Sequence, residues 1–257
     1  DYLLTYMPYT GGNLADSPSL DEYIRSALTS TLMGFQVRGP RSKSRNMLDR
    51  AHKWKCVDIL YRIREALQYR VIVKFVRGHL LIPALHCTFN LHVIHLRRDP
   101  RAIAASLQRA SWRWYEGISL EKQLLVPEDG RANYFKDWTD LIHRFDKAGS
   151  LIRAIAYWAL LERFVDDLPE HPSRILVSYE KLCLNPERVV SERIAPFLDS
   201  KISPRHFGIE SQTTDKSRKN VSNQNRVYGW RHELESTTIR NIEEVVSLFE
   251  MEDYLVD

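Results

Sequence analysis

The sequence predicts an α/β protein in which a parallel sheet is flanked by helices. Three short, almost wholly apolar runs have the composition of strands buried on both faces of such a sheet: Val71–Val76, Leu91–Leu96 and Arg174–Tyr179. Longer segments around them carry apolar residues at three-to-four spacing, which is typical of helices. The alternation indicates βαβ units with right-handed crossovers. We expect a single domain over residues 1–257.

The helical spacing is clearest in three segments, from about Ser44 to Gln68, Tyr134 to Asp167 and Ser236 to Phe249. In the last segment, Ile242 and Val246 belong to one apolar stripe. We therefore expect each segment to turn an apolar face towards a common core.

Composition excludes several classes of protein. A hydrophobic fraction of 44% excludes wholesale disorder, and no apolar run approaches the roughly 18 residues that a membrane span needs. The balance of 37 Lys+Arg against 33 Asp+Glu gives a net charge of +4, which is too mild to indicate a nucleic-acid-binding protein. Cys56, Cys87 and Cys183 are isolated, so no disulfide framework is expected. The nine His are scattered and form no metal-ligand spacing.

The segment from His92 to Ser106 has the pattern of a phosphate clamp. A buried strand ends before Arg98, Asp99 can cap the next helix, and Pro100 suits its first turn. Arg98 then lies at the strand–helix corner, where backbone N–H groups and the helix dipole favour anions. Ser106, two helical turns later, can add a neutral donor to the fork of the guanidinium.

The same residues also have a purely structural interpretation. Arg-Asp-Pro is a good helix start in any protein, and Arg98 and Asp99 can form a local surface pair. Spacing alone does not decide between the two interpretations.

At this point the sequence resembles a family. Leu96-Arg-Arg-Asp-Pro-Arg-Ala-Ile-Ala-Ala-Ser106 resembles the 3′-phosphate motif of sulfotransferases that use 3′-phosphoadenosine 5′-phosphosulfate (PAPS). Further elements follow the family's order, those before the motif being similar to its carbohydrate-type members: Val73–Arg77, Leu91–His95, Leu176–Leu182 with Asn185-Pro186, Ser217–Asn220 and Tyr228–Arg231. The resemblance runs from about Val71 to Tyr254. It implies the P-loop NTPase-like sulfotransferase fold, with PAPS as co-substrate and no metal.

The resemblance also implies a set of cofactor-binding residues: Arg98, Ser106, Tyr179, Arg218, Lys219 and Asn220. In the family, the first two positions hold the 3′-phosphate and the tyrosine lies near the adenine. The last three positions belong to a loop that closes over the nucleotide.

Lys74 is the implied catalytic residue, since it matches a lysine that lies near the transferring sulfuryl group in cytosolic relatives. Those relatives have a histidine base two residues later, where this chain has Val76. Asp16 and Glu22 lie where carbohydrate-type relatives often keep a carboxylate base, and His79 can face the acceptor. The catalytic base therefore stays unassigned.

One family element is missing after every predicted strand, namely the basic Gly-Ser/Thr loop that cradles the 5′-phosphosulfate. Gly11-Gly12 has no adjacent Lys or Arg. We expect that this loop precedes Asp1 in the natural protein, and the alternative is a lineage that lost it. The loss would suit a non-catalytic binding or scaffold protein. A nucleotide kinase would need a Gly-Lys-Ser/Thr loop, which is not visible.

The resemblance favours a hydroxyl of a glycan or related small molecule as acceptor. Trp112, Trp114 and Tyr115 can stack on sugar rings or pack in the core. No nucleic-acid partner is expected, and the oligomeric state is open. The sequon at Asn220 falls in the proposed nucleotide loop, which with the few cysteines favours a cytoplasmic or bacterial setting over a Golgi lumen with the anchor removed.

Overall fold

The computed structural model describes Ile24 and residues 72–75, 78–109, 114–202 and 221–256, with the backbone alone at residue 114. The chain divides into two compact units, Asn13–Gly78 and the remainder, which comprises Asp1–Gly12 and His79–Asp257. Every helix and strand named below lies in His79–Asp257. Within Asn13–Gly78, Ile24 is helical and buried.

Most of the described chain is helical, with two short strands. The strands are β1 (Val93–Arg97) and β2 (Arg174–Ser178). The α-helices are α1 (Ile82–Phe89), α2 (Pro100–Arg109), α3 (Leu120–Leu124), α4 (Ala132–Phe135), α5 (Thr139–Asp146), α6 (Ser150–Asp166), α7 (Tyr179–Leu184), α8 (Pro186–Val189), α9 (Ala195–Phe197), α10 (Asn223–Tyr228), α11 (Trp230–Glu233) and α12 (Ser236–Leu248). A π-helical turn spans Val190–Ile194, and 3₁₀ turns span His79–Leu81, Trp114–Gly117, Lys136–Trp138 and Glu252–Tyr254.

The two strands pair in parallel, as the alternation of strands and helices predicts. Val93 is opposite Arg174 and Arg97 is opposite Ser178, so both strands end at the same edge of the sheet. Burial on both faces, however, is a wrong prediction for this pair, because Leu96 is 45% exposed and Leu176 is 37% exposed. In the part of the chain that the structure describes, each strand has only one neighbour, and a two-stranded sheet leaves apolar side chains uncovered.

The third predicted strand, Val71–Val76, is not seen as a strand in its described part. Residues 72–75 have no regular secondary structure, and Ile72 is 88% exposed. Composition indicates only that a segment suits a sheet, whereas strand geometry needs a hydrogen-bonded neighbour, and no other described residue supplies one. The predicted helix from Ser44 to Gln68 lies outside the described residues.

The long helical pattern from Tyr134 to Asp167 is interrupted. One helix ends at Asp146, and α6 begins at Ser150 after an extended Gly149. The apolar spacing continues across this break because residues on both sides face one core, so periodicity alone predicts no interruption. The closing helix α12 is confirmed.

The core forms around α6, the longest described helix. Its buried residues include Ile155, Leu160 and Phe164, and α12 contributes Ile242 and Val246, both fully buried. These belong to one contiguous apolar cluster, which also includes residues of α2 and α5. Helix α6 thereby provides a rigid surface on which the strand–helix corner after β1 is built. None of the described helices has the length and apolar character needed to cross a membrane.

A buried carboxylate joins α6 to β1. Glu162 is 2% exposed and bonds to His95 Nε2 at 2.7 Å, to His79 Nε2 at 3.3 Å and to the Tyr254 hydroxyl at 3.3 Å. Burial by itself raises the pKa of Glu162, but the hydrogen bonds from the two histidines outweigh it and hold that pKa well below its usual range. The carboxylate is therefore ionised in the folded protein.

A buried ion pair organises the start of α2. Asp99 is 1% exposed and Arg101 is 5% exposed, and Arg101 Nη2 donates to Asp99 Oδ2 at 2.8 Å. Asp99 Oδ1 accepts the backbone N–H of Arg101 at 2.7 Å, which confirms the predicted helix cap. The burial of Asp99 excludes a surface pair with Arg98. Arg101 also donates to Glu243 of α12 at 3.0 Å and lies 4.0 Å from the centroid of the Trp230 ring.

We expect Glu162→Gln to lower the free energy of unfolding at pH 7 by about 1.5–3 kcal/mol, since it removes the charge from a buried group that accepts three hydrogen bonds. The folded-state pKa of Glu162 is lowered, so its stabilisation is present above the unfolded-state pKa of about 4.3 and is lost as the pH falls below it. Urea unfolding of the wild type and of Glu162→Gln between pH 7 and pH 3.5 measures this. The difference between their free energies of unfolding should decrease towards pH 3.5. Exposed Glu187→Gln serves as control, and a pH-independent gap would contradict the assignment.

We expect Arg101→Met to destabilise the protein by about 3–5 kcal/mol, because it leaves the Asp99 carboxylate buried without its cation. Arg188→Met is the matched control: Arg188 is 76% exposed and pairs with Glu192 on one helical face, where such pairs contribute about 0–1 kcal/mol. Urea unfolding at pH 7 compares the two. Equal losses of stability would show that the Asp99–Arg101 pair has no special role.

Candidate functional site

Two predicted site residues, Arg98 and Tyr179, come together at the edge where both strands end. Since Arg97 is opposite Ser178 in the parallel register, the next residue of each strand emerges at the same place. The guanidinium carbon of Arg98 lies 4.6 Å from the centroid of the Tyr179 ring. The carboxyl ends of parallel strands are where α/β sheets bind ligands, so this position suits a binding site.

The Arg98 guanidinium has a buried nitrogen without a described acceptor. Its Nε is buried, and no described residue accepts a hydrogen bond from it. A buried donor without a partner costs stability unless something else accepts its hydrogen bond. The Nε atoms of Arg97, Arg153 and Arg163 share this property, so it does not by itself mark Arg98 as a ligand-binding residue.

Tyr179 remains neutral at this position. Burial raises the pKa of its hydroxyl, and the hydrogen bond with Cys183 acts in the same direction, while the charge of Arg98 opposes both. Burial also raises the pKa of the Cys183 thiol, so neither group carries a negative charge near Arg98 at neutral pH. The ring of Tyr179 can therefore serve as an uncharged stacking surface.

The two strand-end turns are linked to each other by Glu180, which is 3% exposed. Its Oε1 accepts the backbone N–H of Asp99 at 2.9 Å, and its Oε2 accepts the Ser178 hydroxyl at 3.1 Å. These bonds tie the turn that presents Arg98 to the turn that presents Tyr179. The relative position of the two candidate ligand-binding side chains is thereby fixed.

A small cleft opens beside Arg98 and continues along α2 to α10 and α11. Its lining residues are Arg98, Ala102, Ala105, Arg109, Asn225, Arg226, Trp230 and Glu233. Three guanidinium groups and one carboxylate line it, so its charge favours an anionic ligand. Ala102 and Ala105 are buried and small, and they leave the face of α2 open between the arginines.

Ser106 lies at the margin of this cleft. It follows Ala105 in α2, is half-buried, and is four residues from Ala102, which places it near the same face of the helix. The structure gives no contact between Ser106 and Arg98. Its part in a phosphate clamp stays a prediction.

For the remaining predicted residues, the structure describes no position relative to this cleft. Arg218, Lys219 and Asn220 lie outside the described residues. Lys74 is exposed and belongs to the separate unit Asn13–Gly78. Its predicted catalytic role is untested by this geometry.

Asn225 and Arg226 are candidate binding residues that the motif comparison did not single out. They lie in α10, whose first turn is capped by the Ser222 hydroxyl, which accepts the Asn225 N–H at 3.2 Å. Gly229, directly after α10, allows a close approach of its backbone to the Asn225 carbonyl oxygen. A β-carbon at position 229 would lie 2.4 Å from that oxygen. The sequence signal is the polar, basic segment Ser211–Tyr228, which precedes the final helix and includes both residues.

The structure also assembles a histidine–carboxylate group that the sequence spacing did not predict. One ligand-type atom each from His79, His95 and Glu162 lie within 4.8 Å of one another. The residues are far apart in sequence, so no spacing motif indicates them. The 2.7 Å distance from His95 Nε2 to Glu162 is that of a hydrogen bond.

Of the three aromatic candidates for sugar stacking, Tyr115 is 2% exposed and packs in the core.

The chain has one clear similarity to known proteins. A family model described as the sulfotransferase domain matches residues 47–247, which is well over half of the chain. This range includes Arg98, Ser106, Tyr179 and the residues of α10 that line the cleft. No curated protein and no solved structure matches the chain significantly. The family match therefore agrees with the resemblance found in the sequence, and the chain belongs to the sulfotransferase family.

Proposed function

We propose that this protein transfers a sulfuryl group from PAPS to a hydroxyl of a glycan or related small molecule. Membership of the sulfotransferase family supports sulfuryl transfer in general. The observation that carries the finer proposal is the position of Arg98, between a neutral tyrosine ring and a cationic cleft at the carboxyl end of β1. That arrangement suits a nucleotide bearing a phosphate on its ribose.

On the nucleotide side, each group has a chemical task. The Arg98 fork would bind the 3′-phosphate, and Arg226 and Asn225 would approach it from α10 across the cleft. The ring of Tyr179 would lie against the adenine. We include Ser106 as the neutral donor at the margin, and Arg218, Lys219 and Asn220 as the covering loop.

On the transfer side, the acceptor oxygen forms a bond to sulfur while the bond from sulfur to the donor phosphate oxygen breaks. The negative charge that develops on the leaving phosphate needs a cation, which is the role proposed for Lys74. The acceptor hydroxyl gives its proton to a base, for which no residue is assigned. No step needs a metal. We retain the P-loop NTPase-like architecture as part of this proposal.

A non-catalytic relative that only binds the nucleotide is the second candidate, motivated by two expected features that were not found in the sequence: a 5′-phosphosulfate loop after a predicted strand, and a histidine at position 76. Both candidates share the 3′-phosphate site. Binding and transfer must therefore be measured separately, since only transfer separates them.

We expect adenosine 3′,5′-bisphosphate to bind the full 257-residue chain more tightly than adenosine 5′-monophosphate, because only the bisphosphate carries the 3′-phosphate. Arg98→Ala should weaken bisphosphate binding about 10- to 100-fold, since hydrogen bonds to charged groups contribute about 1.5–3 kcal/mol. Its monophosphate affinity should hardly change. Isothermal titration calorimetry at fixed salt measures both.

Arg188→Ala is the control for this experiment, because Arg188 is exposed on α8 and takes no part in the cleft. It should bind both nucleotides as the wild type does. An Arg98→Ala protein that binds the bisphosphate with unchanged affinity would remove Arg98 from the site. A wild type that does not distinguish the two nucleotides would overturn the proposed function.

We expect transfer of radiolabelled sulfate from PAPS to hydroxyl acceptors in a panel of neutral oligosaccharides, with Lys74→Ala reducing the rate by a larger factor than it changes PAPS affinity. The reason is that a cation near the leaving phosphate acts mainly in the transition state. Lys201→Ala, at an exposed position, is the control. Tight bisphosphate binding without transfer to any acceptor would favour the non-catalytic candidate.

A further inference from the structure

We propose that the C-terminal segment Asp253–Val256, called here the C-terminal strap, positions Arg98 for the 3′-phosphate. This inference rests on the proposed function of the same site. The strap holds the residues on both sides of Arg98, and no contact between the strap and Arg98 itself is involved. Its residues are therefore positioning residues and do not touch the nucleotide.

On the upstream side, the strap holds Arg97. The Arg97 guanidinium carbon lies 3.5 Å from the centroid of the Tyr254 ring, and Arg97 Nη1 donates to Asp253 Oδ2 at 3.0 Å. Tyr254 is 2% exposed, and its hydroxyl donates to Asp166 of α6 at 2.8 Å. Asp166 also accepts a hydrogen bond from Arg97. The Tyr254 contact is the important one, because the Asp253 side chain is 70% exposed and such pairs contribute little.

On the downstream side, the strap closes a ring of hydrogen bonds with the start of α2. The backbone N–H of Val256 donates to Asp99 Oδ2 at 3.0 Å, and Arg101 Nη2 donates to the Val256 carbonyl oxygen at 3.0 Å. Arg101 Nη2 also donates to the same Asp99 oxygen. Because Asp99 and Arg101 are buried, these bonds are less weakened by water than surface bonds are.

The strap is itself built into the fold. Helix α12 ends in a turn in which Glu250 adopts a left-handed φ of 55°, and the Met251 N–H donates to the Val246 carbonyl oxygen at 3.0 Å. Met251 is fully buried beyond this turn. The chain is thereby redirected from the end of α12 to the strand–helix corner. The position of Val256 relative to Asp99 is consequently set by core packing.

From these contacts it follows that the direction of Arg98 depends on two anchored neighbours. Residues 97 and 99 flank it in the chain, and each is bonded to the strap. Loss of the Val256–Asp99 bond leaves Asp99 Oδ2 held by Arg101 alone, so that the helix-capping carboxylate can shift with the turn. Discrimination in favour of the 3′-phosphate should fall, while contacts to the rest of the nucleotide should not.

The test compares Val256→Pro with Val256→Ala. Proline removes the backbone N–H, alanine keeps it, and Leu255 at φ −78° and ψ 127° already has the conformation that a residue before proline prefers. We expect Val256→Pro to bind adenosine 3′,5′-bisphosphate about 5- to 10-fold more weakly than Val256→Ala, as suits the loss of one buried hydrogen bond. Adenosine 5′-monophosphate should bind both equally. Equal bisphosphate affinities would overturn the inference.

A second measurement does not depend on any nucleotide. Amide hydrogen exchange of peptides covering Arg97–Ser106 should be faster in Val256→Pro than in Val256→Ala, because the cap of α2 is loosened. Unchanged exchange would overturn the strap even if the protein binds no nucleotide. A chain ending at Leu255 should behave like Val256→Pro, and it replaces that variant if the proline protein does not fold.

Discussion

The ion pair between Asp99 and Arg101 is the interaction on which the rest of the site depends. Its carboxylate caps α2, and its guanidinium reaches α12, the Trp230 ring and the chain near the C-terminus. A buried pair of this kind is stable only when nearly every donor and acceptor is used, and here they are. Burying two charges costs free energy, and this cost is offset by the hydrogen bonds and the ring contact that join four parts of the chain at one corner. That corner is where the candidate phosphate arginine emerges.

The local part of this arrangement was predictable from sequence. An apolar run, an Asp cap and a Pro at the first helical position indicate a strand followed by a helix, and the structure begins α2 at Pro100 as expected. Arg98 follows from the same pattern, because the corner of such a unit lies beside free backbone N–H groups. The helical spacing of α12 predicted its buried face equally well, since both signals depend on near neighbours in the chain.

The non-local part was not predictable. Glu162 forms hydrogen bonds with His79, His95 and Tyr254, which are far from it in the sequence and are brought to it only by tertiary packing. Likewise, the Val256–Asp99 hydrogen bond joins residues 157 positions apart. Val256 also lies beyond residue 247, the last one matched by the sulfotransferase family model. The helix break at Gly149 was not predictable either, because the apolar spacing continues across it and the residues on both sides face the same core. The predicted strand Val71–Val76 is not seen in its described part, because an apolar composition does not by itself supply a hydrogen-bonded neighbouring strand.

Two neighbouring arginines illustrate a division that the sequence hides. Arg97 donates to two carboxylates and lies over the Tyr254 ring, whereas the contact described for the Arg98 guanidinium is the Tyr179 ring; the Nε of each is buried without a described acceptor. Under the proposed function, Arg97 stabilises the fold and Arg98 binds the nucleotide. A variant at 97 and a variant at 98 could look alike in any assay of activity in cells. The first would lower the amount of folded protein, and the second would leave abundance intact while abolishing occupancy, so that protein level becomes the observation that tells an unstable variant from a non-binding one.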